Sequence, residues 1–259
     1  MPALAPASHW ILEKYRQLEI DLENNLETYT LGHSVDSLYR YVWDAYADWY
    51  VEYLKTDKSQ VGFARELYTQ LLVVLHPYMP FETEVLWKKF AGRETLLAKE
   101  RRDMEFVQRY ALDSEQAAEF GEVITVIERL RSLRGLFAID PGTKLEIVSN
   151  SELLAKYSDY LGLLGKTTVR QGDAASYRLG LLDISIEILD YVPDKQAEAA
   201  RTHKLITSLE KQIKGLTAKL GNEKFLANAE AETVQEAREN LAARQQELES
   251  QRQKLSLLD

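Results

Sequence analysis

Leu75-His76-Pro77-Tyr78-Met79-Pro80-Phe81-Glu82-Thr83-Glu84-Val85-Leu86-Trp87 is the stretch that decides the fold. Proline lacks an amide donor and clashes with the turn before it, so Pro77 ends the apolar helix running through Leu71, Leu72 and Leu75. Pro80 suits the first turn of a new helix, where no donor is needed, and Glu82 and Glu84 sit where the positive end of the helix dipole favours carboxylates. Two helices joined by so short a turn fold back on each other. Phe81, Val85 and Trp87 are expected to close the corner against the leucine face, with His76 as a packing and capping residue.

Working outward, Trp10, Ile11, Tyr15, Leu18, Leu22 and Leu26 recur at steps of three and four, one face of an amphipathic helix. Gly32 and Ser34 break the pattern and restart it, with Ser34 as the cap. Leu38, Val42, Ala45, Tyr46, Trp49 and Tyr53 mark a second helix, in which Trp43 and Trp49 read as core aromatics. Residues 55–60 are a polar connection and residues 61–75 a third helix, so residues 1–113 form an antiparallel helical bundle.

Residues 115–137 read as a long helix, apolar at Phe120, Val123, Ile124, Ile127, Leu130 and Leu133. Strands are expected at residues 144–148, 167–170 and 184–188, with one helix at 151–164 between the first two. Residues 114–192 are therefore a small α/β element with a structural role. From residue 193 the texture changes. Ile206, Leu209, Ile213, Leu216 and Leu220 step by three and four, and so do Val234, Ala237, Leu241, Leu248, Leu255 and Leu258 once Arg244 and Gln251 fill the seam. Gly221-Asn222 ends the first of these helices, and a capping box at Thr233 and Glu236 starts the second. Residues 193–259 thus double back as an antiparallel coiled-coil hairpin, each arm roughly 40 Å long at the helical rise. The fold class is mainly α.

The chain has 259 residues, 45% of them hydrophobic, enough to bury a core. It contains no cysteine, which excludes disulfides and thiolate zinc sites and fits a cytoplasmic location. No apolar run approaches the roughly 20 residues that span a bilayer, and the first residues lack the pattern of a signal peptide, so no membrane partner is expected. A formal charge of −9 works against polyanion binding unless the cations are clustered.

The Leu75 to Trp87 corner resembles the Leu-His-Pro-Phe-Met-Pro-Phe-x-Thr-Glu-Glu-Leu-Trp corner of the anticodon-binding helical domain of valyl-tRNA synthetases. Tyr41-Val42-Trp43-Asp44, followed by Asp48-Trp49-Tyr50, Glu52 and Lys55, is similar to the Phe-Val-Trp-Asp and Asp-Trp-Tyr segment of that family. Trp10-Ile11-Leu12 is similar to its Trp-Ile-Leu start. The family's bundle opens with a further helix upstream of that tryptophan, contributing to anticodon reading, and this chain leaves no room for it. Arg101-Arg102-Asp103 departs from the family's Trp-Pro or Tyr-Pro. The segment from Arg131 to Pro141 resembles the family's Arg-x-x-Arg-x-x-x-Asn-Val-Pro-Pro, matching at Arg131, Arg134 and Pro141. Leu220-Gly221-Asn222-Glu223-Lys224-Phe225 resembles the turn of the valyl enzyme's C-terminal coiled coil, which its leucine and isoleucine relatives lack.

The resemblance implies the C-terminal part of such a synthetase: a region that holds transfer RNA, with the valine transfer RNA and the remaining synthetase domains as partners. The first arm carries Lys195, Arg201, Lys204, Lys211, Lys214, Lys219 and Lys224 against Glu198, Glu210 and Glu223, a local +4. The second, from Phe225, has four cations against seven acids, or −3. RNA-contact candidates are Arg131, Arg134, Lys204, Lys211, Lys214, Lys219 and Lys224. Charge pairing between the arms competes for the same lysines, and carboxylates compete for the arginines. No glycine-rich phosphate loop and no His-x-Gly-His or Lys-Met-Ser-Lys-Ser signature is present, and the four histidines are scattered. No catalytic residue, metal ligand or cofactor site is therefore expected in this chain; ATP and valine would bind upstream domains. The alternative is a scaffold module that self-associates through the hairpin.

Overall fold

The computed structural model describes residues 3–91, 103, 105–173, 175–222, 225 and 229–258. Two compact units divide the chain, Met1–Thr125 and Val126–Asp259.

In the first unit, α1 (Pro6–Glu27) opens with proline in its first turn, where the missing donor costs nothing. The second helix begins at Leu31 rather than at the expected break: α2 (Leu31–Tyr39) passes without interruption through a π-helical stretch, Arg40–Tyr50, into α3 (Val51–Leu54). Ser34 lies inside α2, fully buried, and is not a cap. A short 3₁₀ turn, Lys58–Gln60, leads into α4 (Val61–Leu75), with the Asp57 side chain accepting from the Ser59 amide at 3.0 Å.

The proline corner forms as its sequence dictates. α4 stops at Leu75 and α5 (Pro80–Ala91) begins at Pro80. His76 Nδ1 and the Thr83 hydroxyl share a hydrogen bond of 2.8 Å across the turn, and that hydroxyl donates to the Met79 carbonyl at 2.6 Å. Trp87 is 2% exposed and packs on Leu72, with Tyr68, Val73 and Leu86 around it. Phe81 and Val85, expected to close the corner with it, are 81% and 67% exposed. They project from the side of α5 away from Trp87. Trp43 is likewise corrected: it is 57% exposed and stacks on Tyr39, ring centroids 6.2 Å apart, whereas Trp49 is buried as expected.

The core of this unit is aromatic. Tyr15 meets Tyr41 and Phe106 edge-on, Phe63 meets Tyr110 edge-on at 4.8 Å, and Trp10 tilts against Phe120 at 6.0 Å. Such geometries add about 0.5–1.5 kcal/mol per pair beyond area burial. Phe106 belongs to a single helical turn, α6 (Phe106–Arg109). Arg101 and Arg102 lie outside the described residues. Asp113 caps α7 (Ser114–Leu136), accepting from the Glu115 and Gln116 amides at 3.1 and 3.0 Å. Its own amide donates to Nδ1 of buried His9 at 3.1 Å.

The boundary between the units falls within α7. In the second unit, β1 (Leu145–Val148) pairs in parallel with β2 (Thr167–Arg170). The expected single helix between them is two, α8 (Glu152–Lys156) and α9 (Ser158–Gly165). β3 (Tyr177–Arg178) and β4 (Ser185–Ile186) add antiparallel edges, giving the order β2-β1-β4-β3. The third expected strand is thus cut short, because the chain enters a 3₁₀ turn at Ile188–Tyr191. Ile147, Ile186, Leu154, Leu161 and Tyr157 bury their side chains in this element.

The last two helices form the expected hairpin. α10 (Lys195–Leu220) is capped by Asp194, which accepts from the Ala197 amide at 2.9 Å, and α11 spans Ala231–Leu258. The first helical bond of α11 runs from the Val234 amide to the Glu230 carbonyl, so Glu230 occupies the cap position and Thr233 lies within the first turn. Leu209 and Ala237 are buried at the seam, while Ile206, Ile213, Leu216, Leu241 and Leu248 are half-buried. Two paired helices can shield a seam from each other but leave its flanks to water.

Candidate nucleic-acid interface

A seam on one side of α10 leaves the opposite side for charge. At about 100° per residue, Arg201, Lys204, Lys211, Lys214 and Lys219 fall within an arc of about 140° centred opposite the Leu209 seam. All five are exposed. Lys204, Lys211 and Lys214 form no ion pair with a described residue, and the Lys219 ammonium lies 4.7 Å from the centroid of the Phe225 ring. Lys224 lies outside the described residues.

The bonds that cross the hairpin run the other way. Arg252 of α11 pairs with Glu210 of α10 at 2.9 Å, and Lys254 of α11 pairs with Glu198. Both consume acids of the first arm with cations of the second. Inter-arm pairing therefore leaves the α10 lysines untouched and removes negative charge from their helix, which sharpens the difference between the two edges of the hairpin.

Lys254 is itself a root for the hairpin. It is 4% exposed, donates to the Glu198 carboxylate and to the Leu136 carbonyl at the end of α7, and lies 5.6 Å from the Phe137 ring centroid. Arg201 sits 3.4 Å from the second oxygen of Glu198. A buried ammonium needs such partners, since an unpaired charge in a poorly hydrated site costs several kcal/mol. The sequence reading counted Lys254 only as one of the four cations of the second arm. Its spacing of three from Gln251, a seam position, is the signal that marks it as inward-facing.

Arg131 and Arg134 belong to α7, not to the helix that carries the lysines. Arg134 is 5% exposed, and its guanidinium donates to the carbonyls of Thr143, Gly165 and Lys166 at 3.2, 2.9 and 3.3 Å. Burial, with Arg131 nearby, pulls its pKa below the ordinary arginine value. Arg131 is exposed and reaches the Leu164 carbonyl at 3.4 Å. Arg134 thus meets carbonyls where the sequence reading weighed carboxylates, and Arg131 reaches one at the end of α9.

Among the described residues no group of three His, Cys, Asp or Glu side chains could hold a metal ion. Among them, too, no helix is long and apolar enough to cross a membrane. An aromatic-cored helical bundle, a small mixed sheet and a C-terminal helical hairpin make this a mainly α protein.

The anticodon-binding domain of tRNA ligases matches residues 8–149, and the valyl tRNA synthetase tRNA binding arm matches residues 194–259. The chain belongs to the anticodon-binding domain family of tRNA ligases, and corresponds to the C-terminal part of the valine enzymes. It is 28% identical to the valine–tRNA ligase of Syntrophotalea carbinolica, covering 98% of this chain and 31% of that protein. Against the valine–tRNA ligase of Cereibacter sphaeroides the identity is 32%, over 95% of this chain and 26% of the relative. That of Caulobacter vibrioides is 31% identical over 92% of this chain and 29% of its own length. The chain therefore spans about a quarter to a third of the curated relatives it matches.

Proposed function

We propose that this chain is the transfer-RNA-binding C-terminal region of a cytoplasmic valine–tRNA ligase. The hairpin lies with the α10 edge against the RNA backbone, while the bundle takes the position its family name describes, at the anticodon end. Activation of valine with ATP and its transfer belong to the remaining domains of the ligase; the role of this region is to hold the RNA for them. Contacts along α10 recognise the path of the phosphates and the shape of the molecule, with little reading of bases. The valine transfer RNA is the expected partner.

The observation that carries the reading is the set of exposed lysines on the seam-free side of α10, of which Lys204, Lys211 and Lys214 pair with no described acid, on a chain whose overall charge is −9. A scaffold role would leave that clustering without a counterpart. Replacing Lys211, Lys214 and Lys219 together by Glu should lower transfer RNA affinity at least tenfold and flatten its salt dependence by about three contacts' worth of slope, with helicity unchanged. Gel-shift titration at two salt concentrations, set beside light scattering, measures this. Unchanged affinity at low salt would remove α10 from the interface, and self-association without RNA affinity would replace the proposal by the scaffold reading.

A further inference from the structure

The π-helical stretch Arg40–Tyr50 does more than carry α2 into α3. At its end the Val51 amide bonds to the Tyr46 carbonyl, five residues back, so the two side chains come to one side of the helix. At the α-helical step of about 100° per residue they would lie about 140° apart. Facing them, α4 presents Val61, Ala64, Arg65 and Tyr68, spaced i, i+3, i+4 and i+7 along one stripe. Near its end α5 adds Lys89 and Phe90. Together these residues line a groove of about 670 Å³ in the first unit. Sites for small organic groups commonly enclose about 300–1,000 Å³.

The groove has an aromatic wall and a cationic rim. Tyr46 and Tyr68 stack with ring centroids 6.0 Å apart, and Phe90 meets Tyr68 edge-on at 5.3 Å. The Tyr46 hydroxyl donates to the Ala64 carbonyl at 3.3 Å, which ties that ring to α4. Phe90 and Val61 are 40% and 46% exposed, so both keep apolar surface for a ligand to cover. At the rim, Arg65 Nη2 donates to the Phe90 carbonyl at 2.6 Å, and Lys89 is exposed and pairs with no described acid. No carboxylate is among the lining residues. The acids nearby in sequence are engaged elsewhere: Glu66 hydrogen-bonds Tyr110, and Glu84 faces Lys88 at 3.5 Å. The carbonyl end of α5 offsets part of the positive charge, but a helix terminus carries about half an elementary charge against two full ones here.

We propose that this groove takes an unpaired nucleobase of an RNA strand, stacked on the Tyr68 and Phe90 wall, with Arg65 and Lys89 meeting the phosphates that flank it. The stacking chemistry stands on the groove itself; RNA as the source of the base rests on the reading of the chain as a transfer-RNA-binding region. A nucleotide brings a flat aromatic face and an anion together, and an aromatic wall beneath two cations complements both at once. A purely aliphatic ligand would leave the cations unmet, and a bare inorganic anion would leave the rings uncovered.

The probe is a short single-stranded oligoribonucleotide with 2-aminopurine at its centre, whose fluorescence falls on stacking. The same strand with an abasic centre is read by competition. Three variants at exposed positions divide the contributions: Phe90→Ala removes a ring, Val61→Trp fills the groove without changing charge, and Lys89→Glu reverses one cation. Circular dichroism checks that each remains helical. The wild type should quench the probe, and the abasic strand should compete at least about fivefold less well. Phe90→Ala and Val61→Trp should weaken probe binding by a similar factor with the salt dependence unchanged. Lys89→Glu should instead reduce the slope of log affinity against log salt by about 0.7, the single-strand figure for one phosphate contact, with the quench at saturation retained. Transfer RNA affinity should fall with Phe90→Ala as well. Absence of quenching, an abasic strand that competes equally, or variants indistinguishable from the wild type overturns the site. Self-association that Val61→Trp abolishes gives the groove to a second copy and overturns it too. Weakened probe binding with transfer RNA affinity intact in Phe90→Ala overturns transfer RNA as the source of the base, leaving the α10 interface standing. If charge reversal on α10 leaves transfer RNA affinity intact, the parent reading fails whatever the oligonucleotide shows.

Discussion

His9 shows how one buried ring couples to a helix cap. Burial lowers its pKa from the ordinary value of 6.5, with the Asp113 carboxylate opposing the shift. Its Nδ1 must stay unprotonated to accept the Asp113 amide. A histidine whose folded pKa is lowered binds its proton more tightly when unfolded, so the native state is favoured above pH 6.5 and loses that advantage as pH falls through it. Melting temperature should therefore decline between about pH 7 and 5, and His9→Gln should flatten the decline. Asp113, held below its usual value by the Gln116 bonds, adds a further loss only at more acid pH. The two tryptophans give a sharper contrast: Trp87→Ala should cost about 3–5 kcal/mol in chemical denaturation, because it empties the space over Leu72, whereas Trp43→Ala should cost under about 1 kcal/mol.

At the scale of the element, the helices and the proline corner were legible because periodicity and proline chemistry act locally. Three misreadings share one cause. At about 100° per residue, Phe81 and Val85 lie about 120° and 160° from Trp87, and Trp43 lies about 120–140° from the Leu38 and Trp49 stripe. Residue type suggested burial where angle argued against it. Ser34 and Thr233 were good caps by chemistry, but the chain started each helix earlier, at positions set by packing and by the preceding turn. The partners of Arg134 and Lys254 were not legible, since the carbonyls they meet are brought near only by tertiary structure, although the spacing of Lys254 from Gln251 carried its inward direction. For Lys254 the consequence is measurable. Lys254→Met leaves the Glu198 carboxylate with only the longer contact to Arg201 and should destabilise the hairpin root by about 3 kcal/mol, seen as faster amide exchange in both helices near it. Pairing it with Glu198→Leu should restore most of that loss.

At the scale of the whole molecule, charge decides more than area. With −9 overall, attraction to a polyanion is confined to places where acids are absent or already engaged. Association with transfer RNA should accordingly slow steeply as ionic strength rises from about 0.05 to 0.2 M, and stopped-flow measurement should find the change in the forward rate more than in dissociation. Conversely, removing acids from α11 should accelerate encounter without any new contact. The hairpin presents unlike edges, lysines along α10 and glutamates along α11, so an approaching polyanion exerts a torque on it. Collisions are thereby biased into alignment before the surfaces touch, and the two unequal helices act as a compass needle as well as a handle.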